Sequence, residues 1–128
     1  MRKRSQSTAF LALMTGIAMM LIVLQANARS GKENSAIENG KSVFNEQCAD
    51  CHTIGEGIST GPDLKGVTQR RDEPWLIKFI TNPEKMFKEK DPTALKLLDE
   101  FDGVRMPDMD LSIKEAKDVL AYINHQSK

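Results

Sequence analysis

The sequence predicts an all-α domain, and three observations carry that expectation. Apolar residues recur at helical spacing in four separate stretches. Three of these stretches open on Asp-Glu-Pro, Asp-Pro or a Ser with Glu three residues on, the signals that start helices. The strict apolar/polar alternation of a half-buried strand is absent from the sequence, as are internal repeats and a nucleotide-binding Gly loop.

The 128 residues carry 18 basic and 18 acidic side chains, a length that suits one domain. The balance conceals a basic start. Arg2, Lys3 and Arg4 precede an apolar run, Ala9 to Leu24, broken only by Thr15 and Gly16. Ala26-Asn27-Ala28 then supplies a small-residue cleavage pattern, which completes the anatomy of a secretory signal over residues 1–28. Cleavage after Ala28 would leave 100 residues with a formal charge of −3. The alternative is retention as a membrane anchor, although 16 apolar residues reach only ~24 Å against a hydrocarbon core of ~30 Å. Either outcome exports the domain, with a periplasmic or similar location. An acidic mature chain argues against nucleic acid as a partner. Residues 29–35 read as a flexible polar leader and residues 36–128 as the domain.

The first helix is expected from Ala36 to Gln47, with Ile37, Val43 and Phe44 on one face together with Cys48. Gly40 falls inside it and costs about 1 kcal/mol against Ala. A close helix crossing would justify that cost. Thr53 to Gly61 is a Gly-rich loop, and Gly61-Pro62-Asp63-Leu64 is a turn. Asp72-Glu73-Pro74 opens a second helix with Trp75, Leu76, Phe79 and Ile80 inward, and Asn82-Pro83 is expected to stop it. Asp91-Pro92 starts a shorter helix to about Phe101, burying Leu95, Leu98 and Phe101, before Asp102-Gly103 ends it. The last helix begins at a capping box, Ser112 with Glu115, and presents Ala116, Val119, Leu120 and Ile123, with Tyr122 beside them. The first and last helices are both amphipathic and both near a terminus. Packed across each other, they would bring Gly40 under a bulky group such as Tyr122.

The chemistry sits in Cys48-Ala49-Asp50-Cys51-His52, which holds both cysteines of the chain. Two intervening residues make about one turn, so both sulfurs can meet one edge of a haem and form thioethers with its vinyl groups. The adjoining His52 then reaches the iron as proximal ligand. Zinc would need a fourth ligand such as His125, with poor tetrahedral geometry at Cys51-His52. A redox dithiol would want a βαβ setting, which is missing. With only 5% aromatic residues the side-chain core is thin, so a haem would complete it and the apoprotein should be largely unfolded.

A proximal His needs an acceptor on its second ring nitrogen. The Pro62 carbonyl is the candidate, or Pro62 only shapes the turn. The opposite iron position decides between carrying electrons and binding small molecules. Met106, held before Pro107 in the loop from Gly103 to Leu111, is the candidate, with Met109 in reserve. Met86 is expected at the haem edge, and His125 lies too near the end of its helix. The Trp75 indole N–H could reach a haem propionate or could belong to a core Trp with a solvated N–H. Arg70 and Arg71 could screen propionates or be merely solvated.

Four pieces together resemble the small single-haem class I cytochromes c. They are Gly40-x-x-x-Phe44-x-x-x-Cys48-Ala-Asp-Cys51-His52, Gly61-Pro62-Asp63-Leu64, Trp75-Leu76-x-x-Phe79-Ile80, and Met106-Pro107 leading through Leu111-Ser112 to Tyr122-Ile123. The resemblance implies an all-helical fold around one covalent haem c with crossed terminal helices. It implies Cys48 and Cys51 as anchors, His52 and Met106 as axial ligands, and the Pro62 carbonyl on His52. Asp91 to Phe101 departs from the pattern as an extra helical segment before the Met loop. The implied function is a non-enzymatic carrier of one electron between redox proteins such as a terminal oxidase, a nitrogen-oxide reductase or a dehydrogenase. A haem enzyme or gas sensor with an open sixth position is the competing class, and a dithiol oxidoreductase the third.

Overall fold

The structure is a computed structural model that describes residues 30–128. The expected signal segment, residues 1–28, lies outside the described residues. Helix α1 occupies 30–47. It therefore starts before Ala36, since residues 30–35, expected as a loose leader, are already helical and exposed. Residues Ser35–Lys128 make up one compact unit.

Five further helices follow: α2 (Val67–Arg70), α3 (Glu73–Thr81), α4 (Pro83–Lys88), α5 (Pro92–Glu100) and α6 (Ile113–Gln126). No strand occurs among the described residues. None of their helices is long and apolar enough to cross a membrane.

Local chemistry explains each start. The Asp72 carboxylate accepts from the Trp75 amide at 3.1 Å, capping α3 with Pro74 in its first turn. Asp91 does the same for α5, accepting from the amides of Thr93 at 3.0 Å and Ala94 at 2.9 Å. The α6 capping box forms as expected, with the Ser112 hydroxyl accepting from the Glu115 amide and the Glu115 carboxylate accepting from the Ser112 amide. The Ser112 hydroxyl and then the Ser112 amide, both donating to that carboxylate, hold the Glu115 carboxyl below the usual carboxylate range.

Asn82-Pro83 ends α3 as expected, and a further helix, α4, follows at once. Asn82 closes α3 through its own amide and starts α4 through its side chain, which accepts from the Lys85 amide at 2.9 Å. Pro83 then occupies the first position of α4, where a missing N–H costs nothing.

Two apolar clusters hold the fold. Phe44 and Cys48 of the α1 end pack with Val119 and Ile123 of α6, and Tyr122 sets its ring 5.5 Å from that of Phe44. Met86, Phe87 and Ala94 form the second cluster, between α4 and α5, with Trp75, Phe79 and Leu98 against it. Met86 packs in this cluster and does not line the central cavity described below.

The terminal helices cross at Gly40, as the sequence suggests, but the partner is backbone. A Cβ on Gly40 would stand 1.9 Å from the Asp118 carbonyl oxygen and 2.9 Å from the Val119 nitrogen. Tyr122 lies farther along, beside Phe44. A buried carboxylate marks the crossing. Asp118, 6% exposed, accepts from the Asn39 side-chain amide at 2.6 Å and from Lys114 Nζ at 2.5 Å. Those partners satisfy a charge that would otherwise be costly to bury.

Candidate haem site

The turn after α1 carries the helical course on into the motif. Cys48 N–H donates to the Phe44 carbonyl at 2.8 Å, and His52 N–H donates to the Cys48 carbonyl at 2.9 Å. One turn thus separates the two sulfurs, as covalent attachment to a single haem edge requires. Both cysteines are free thiols. Burial pushes the Cys48 thiol up to about 11, and the neighbouring Cys51 adds to the shift. Cys48 is thus shifted away from the thiolate that thiol exchange uses as its nucleophile.

The chain then folds back on itself. Gly61 N–H donates to the Cys51 carbonyl at 2.8 Å and Leu64 N–H to the Thr53 carbonyl at 2.8 Å. This return lays Gly61 and Pro62 against the imidazole. His52 Nδ1 lies 2.9 Å from the Pro62 carbonyl oxygen. The carbonyl can only accept, so Nδ1 carries the proton and Nε2 is the nitrogen left to bind a metal. Gly61 is the neighbour that sequence reasoning missed. A Cβ there would be 2.6 Å from His52 Cε1 and 2.8 Å from Nδ1, so only glycine lets the backbone lie so close to the ring.

Asp63 fixes the loop that makes this possible. Its carboxylate accepts from the amides of Gly55, Gly57 and Lys65, each at 2.8 Å. Those three donors, with Arg70 nearby, hold the Asp63 carboxyl below the usual carboxylate range. Arg70 braces the same loop through the carbonyls of Lys65 and Asp63. Arg71 sits over the Trp75 ring, 5.8 Å from its centroid. Both arginines also line the central cavity.

That cavity has a volume of about 610 Å³, within the ~300–1,000 Å³ of cofactor sites. Cys48, His52 and Pro62 line one part of it, Trp75 and Phe79 of α3 another, and Met106 comes from the loop before α6. A smaller adjoining space of about 90 Å³ shares Cys48, His52, Phe79 and Met106 and adds Phe87 and Met109. The motif, the expected Met and its reserve therefore converge on one apolar slot. The residues fit a haem held at one edge by two sulfurs, with an imidazole nitrogen and thioethers among its walls.

Trp75 lines the cavity, but its indole N–H is committed elsewhere. It donates to Asp91 Oδ1 at 3.2 Å, and the ring stacks on Phe79 with centroids 4.9 Å apart. It is therefore neither a solvated N–H nor one free for a propionate. His125 is exposed on α6, and among the described residues no three His, Cys, Asp or Glu side chains gather as a metal cluster.

Comparison with known proteins agrees with this geometry. The cytochrome c family model matches residues 37–127. The chain belongs to the cytochrome c family. It is similar to the cytochrome c of Cochliobolus lunatus, 23% identical over 120 residues that cover 77% of this chain and 99% of that one. Among solved structures it resembles cytochrome c from Rhodothermus marinus, with a TM-score of 0.68 and 30% identity over 73% of this chain and 78% of the other. It also resembles the cytochrome c domain of the pp3183 protein from Pseudomonas putida, with a TM-score of 0.62 and 34% identity over 69% and 87% of the two chains. As a cytochrome c it is a haem-containing electron-transfer protein with an all-α fold, and the family's covalent haem c accounts for Cys48-x-x-Cys51-His52.

Proposed function

We propose that this cytochrome c is an exported one-electron carrier, with a single haem c on Cys48 and Cys51 and with His52 and Met106 as axial ligands. The observation that supports it best is the 2.9 Å contact between His52 Nδ1 and the Pro62 carbonyl, which frees Nε2, beside a cavity that Met106 also lines. The bound haem would supply an iron that alternates between ferric and ferrous states.

The chain's own residues do the rest. Pro62 fixes the tautomer of His52 and raises its basicity as a ligand. Gly61 and the Asp63-stapled loop keep the ring from turning. The Met106 thioether and the apolar walls would exclude water and disfavour extra positive charge on a bound haem, which would raise its reduction potential. Ligands held in place by the chain in both oxidation states would leave little structure to reorganise. The partners would be redox proteins, such as a terminal oxidase, a nitrogen-oxide reductase or a dehydrogenase, meeting the chain in small, transient contacts. Export rests on the basic start, apolar run and Ala26-Asn27-Ala28 pattern in the sequence. Mass spectrometry of the holoprotein would report the mature start and the covalent haem together.

The ligand assignment is tested by the ferric optical spectrum. A sulfur-to-iron charge-transfer band is expected in the wild type and in Met109→Ala, and is expected to vanish in Met106→Ala. High-spin ferric iron in the wild type would overturn the reading and favour an enzyme or sensor.

A further inference from the structure

Residues 104–112, which deliver Met106 to the cavity, have no regular secondary structure. Among the described residues, one side chain alone ties residues 104–111 by hydrogen bonds to another element. Arg105 Nη1 donates to both carboxylate oxygens of Glu84 in α4, at 3.3 and 3.2 Å. The same guanidinium lies 5.0 Å from the centroid of the Phe87 ring, one turn further along α4. Phe87 is buried, meets Phe79 edge-on at 5.8 Å and lines the cavity beside Met106. The residue immediately before the proposed iron ligand is thus held from one end by an ion pair and from one face by an aromatic wall of the site.

We infer that Arg105 is a positioning residue for Met106: clamped by Glu84 and Phe87, it keeps the Met loop closed over the cavity. The inference rests on the His52/Met106 reading above. Each contact is modest alone. An exposed ion pair is worth little in water, and a cation over an aromatic face adds a comparable amount. Both act on one guanidinium, one peptide bond away from the ligand, in a loop with no other outward side-chain anchor among the described residues. Any loosening therefore falls on Met106 first.

Imidazole binding to the ferric holoprotein tests this, because imidazole takes the iron position only when the Met thioether leaves it. Arg105→Ala and Glu84→Gln are expected to tighten imidazole binding about fivefold to tenfold, equivalent to about 1–1.4 kcal/mol. Arg105→Lys, which keeps the charge but not the planar fork, should fall between. Ser127→Ala, which removes the acceptor of the Gly66 amide away from the cavity, is expected to lower the melting temperature while leaving imidazole affinity unchanged. If Arg105→Ala and Glu84→Gln bind imidazole like the wild type while Met106→Ala binds it far more tightly, the clamp is wrong and the ligand assignment stands. If Met106→Ala itself matches the wild type, the ligand assignment fails and the clamp falls with it.

Discussion

Replacing Gly40 with Ala sets two effects of opposite sign against each other. Helix propensity alone says that the change stabilises α1 by about 1 kcal/mol. The crossing says otherwise. The new carbon would stand 1.9 Å from the Asp118 carbonyl oxygen, which is backbone and cannot turn aside. Relaxed contacts to carbon need ~3.5 Å, so α1 and α6 would have to part by about 1.5 Å locally. A gap of that size forfeits more than half of the dispersion between facing atoms. Phe44, Val119 and Ile123 would loosen, and the 2.6 Å bond from Asn39 to buried Asp118 would stretch. Core disruption of this kind costs ~3–4 kcal/mol, and the propensity gain leaves a net loss of ~2–3 kcal/mol. For a domain this small, that lowers the melting temperature by ~10–20 °C. Thermal melts of the holoprotein, followed by helix ellipticity and by haem absorbance, would measure it. A Gly40→Ala protein as stable as the wild type, or more stable, would refute the close crossing.

Two further outcomes follow from the hydrogen bonds around the site. Asp63→Asn should lower the melting temperature near neutral pH, since three backbone amides lose a charged acceptor. The Asp63 carboxyl is depressed in the fold, so its stabilising effect is present above the ordinary carboxylate range and is lost as pH falls through the folded value. The difference between wild-type and Asp63→Asn melting temperatures should therefore shrink below about pH 4, and a pH-independent difference would contradict the role. Trp75→Phe keeps the ring on Phe79 but removes the N–H given to Asp91, and should cost ~1 kcal/mol in denaturant melts with the haem spectrum unchanged. A shifted spectrum would mean that the indole N–H reaches the haem.

What could be read in the sequence was what local chemistry controls. The Ser112–Glu115 box needs only residues three apart, and it forms as written. The spacing of Cys48, Cys51 and His52 is likewise local, and Gly40 announced a close approach because glycine inside a helix has a cost that needs a reason. The Pro62 carbonyl was found because an imidazole on a metal needs an acceptor. The misses came from residues far apart in sequence. Asp91 meets Trp75 across 16 residues only because α4 lies between them, and α4 was not expected because Pro83 was read as the end of one helix and not also as the start of the next. Asn39 and Asp118 are 79 residues apart, so nothing local marked Asp118 as a buried carboxylate. Met86 was drawn into a cluster by that same unseen helix. Gly61 had a signal that went unused, since glycine directly before Pro62 in a returning loop can mark a backbone pressed against a side chain.

Cys48 continues the hydrogen-bonded course of α1 and lies eight residues beyond Gly40, about 12 Å along the axis. The notch and the first sulfur thus ride on one stiff rod. A sideways displacement where α1 crosses α6 would arrive at the pigment's point of attachment with little damping. Colour and redox poise would then register events at that crossing, and visible absorbance could serve as a strain gauge for a contact that itself contains no chromophore.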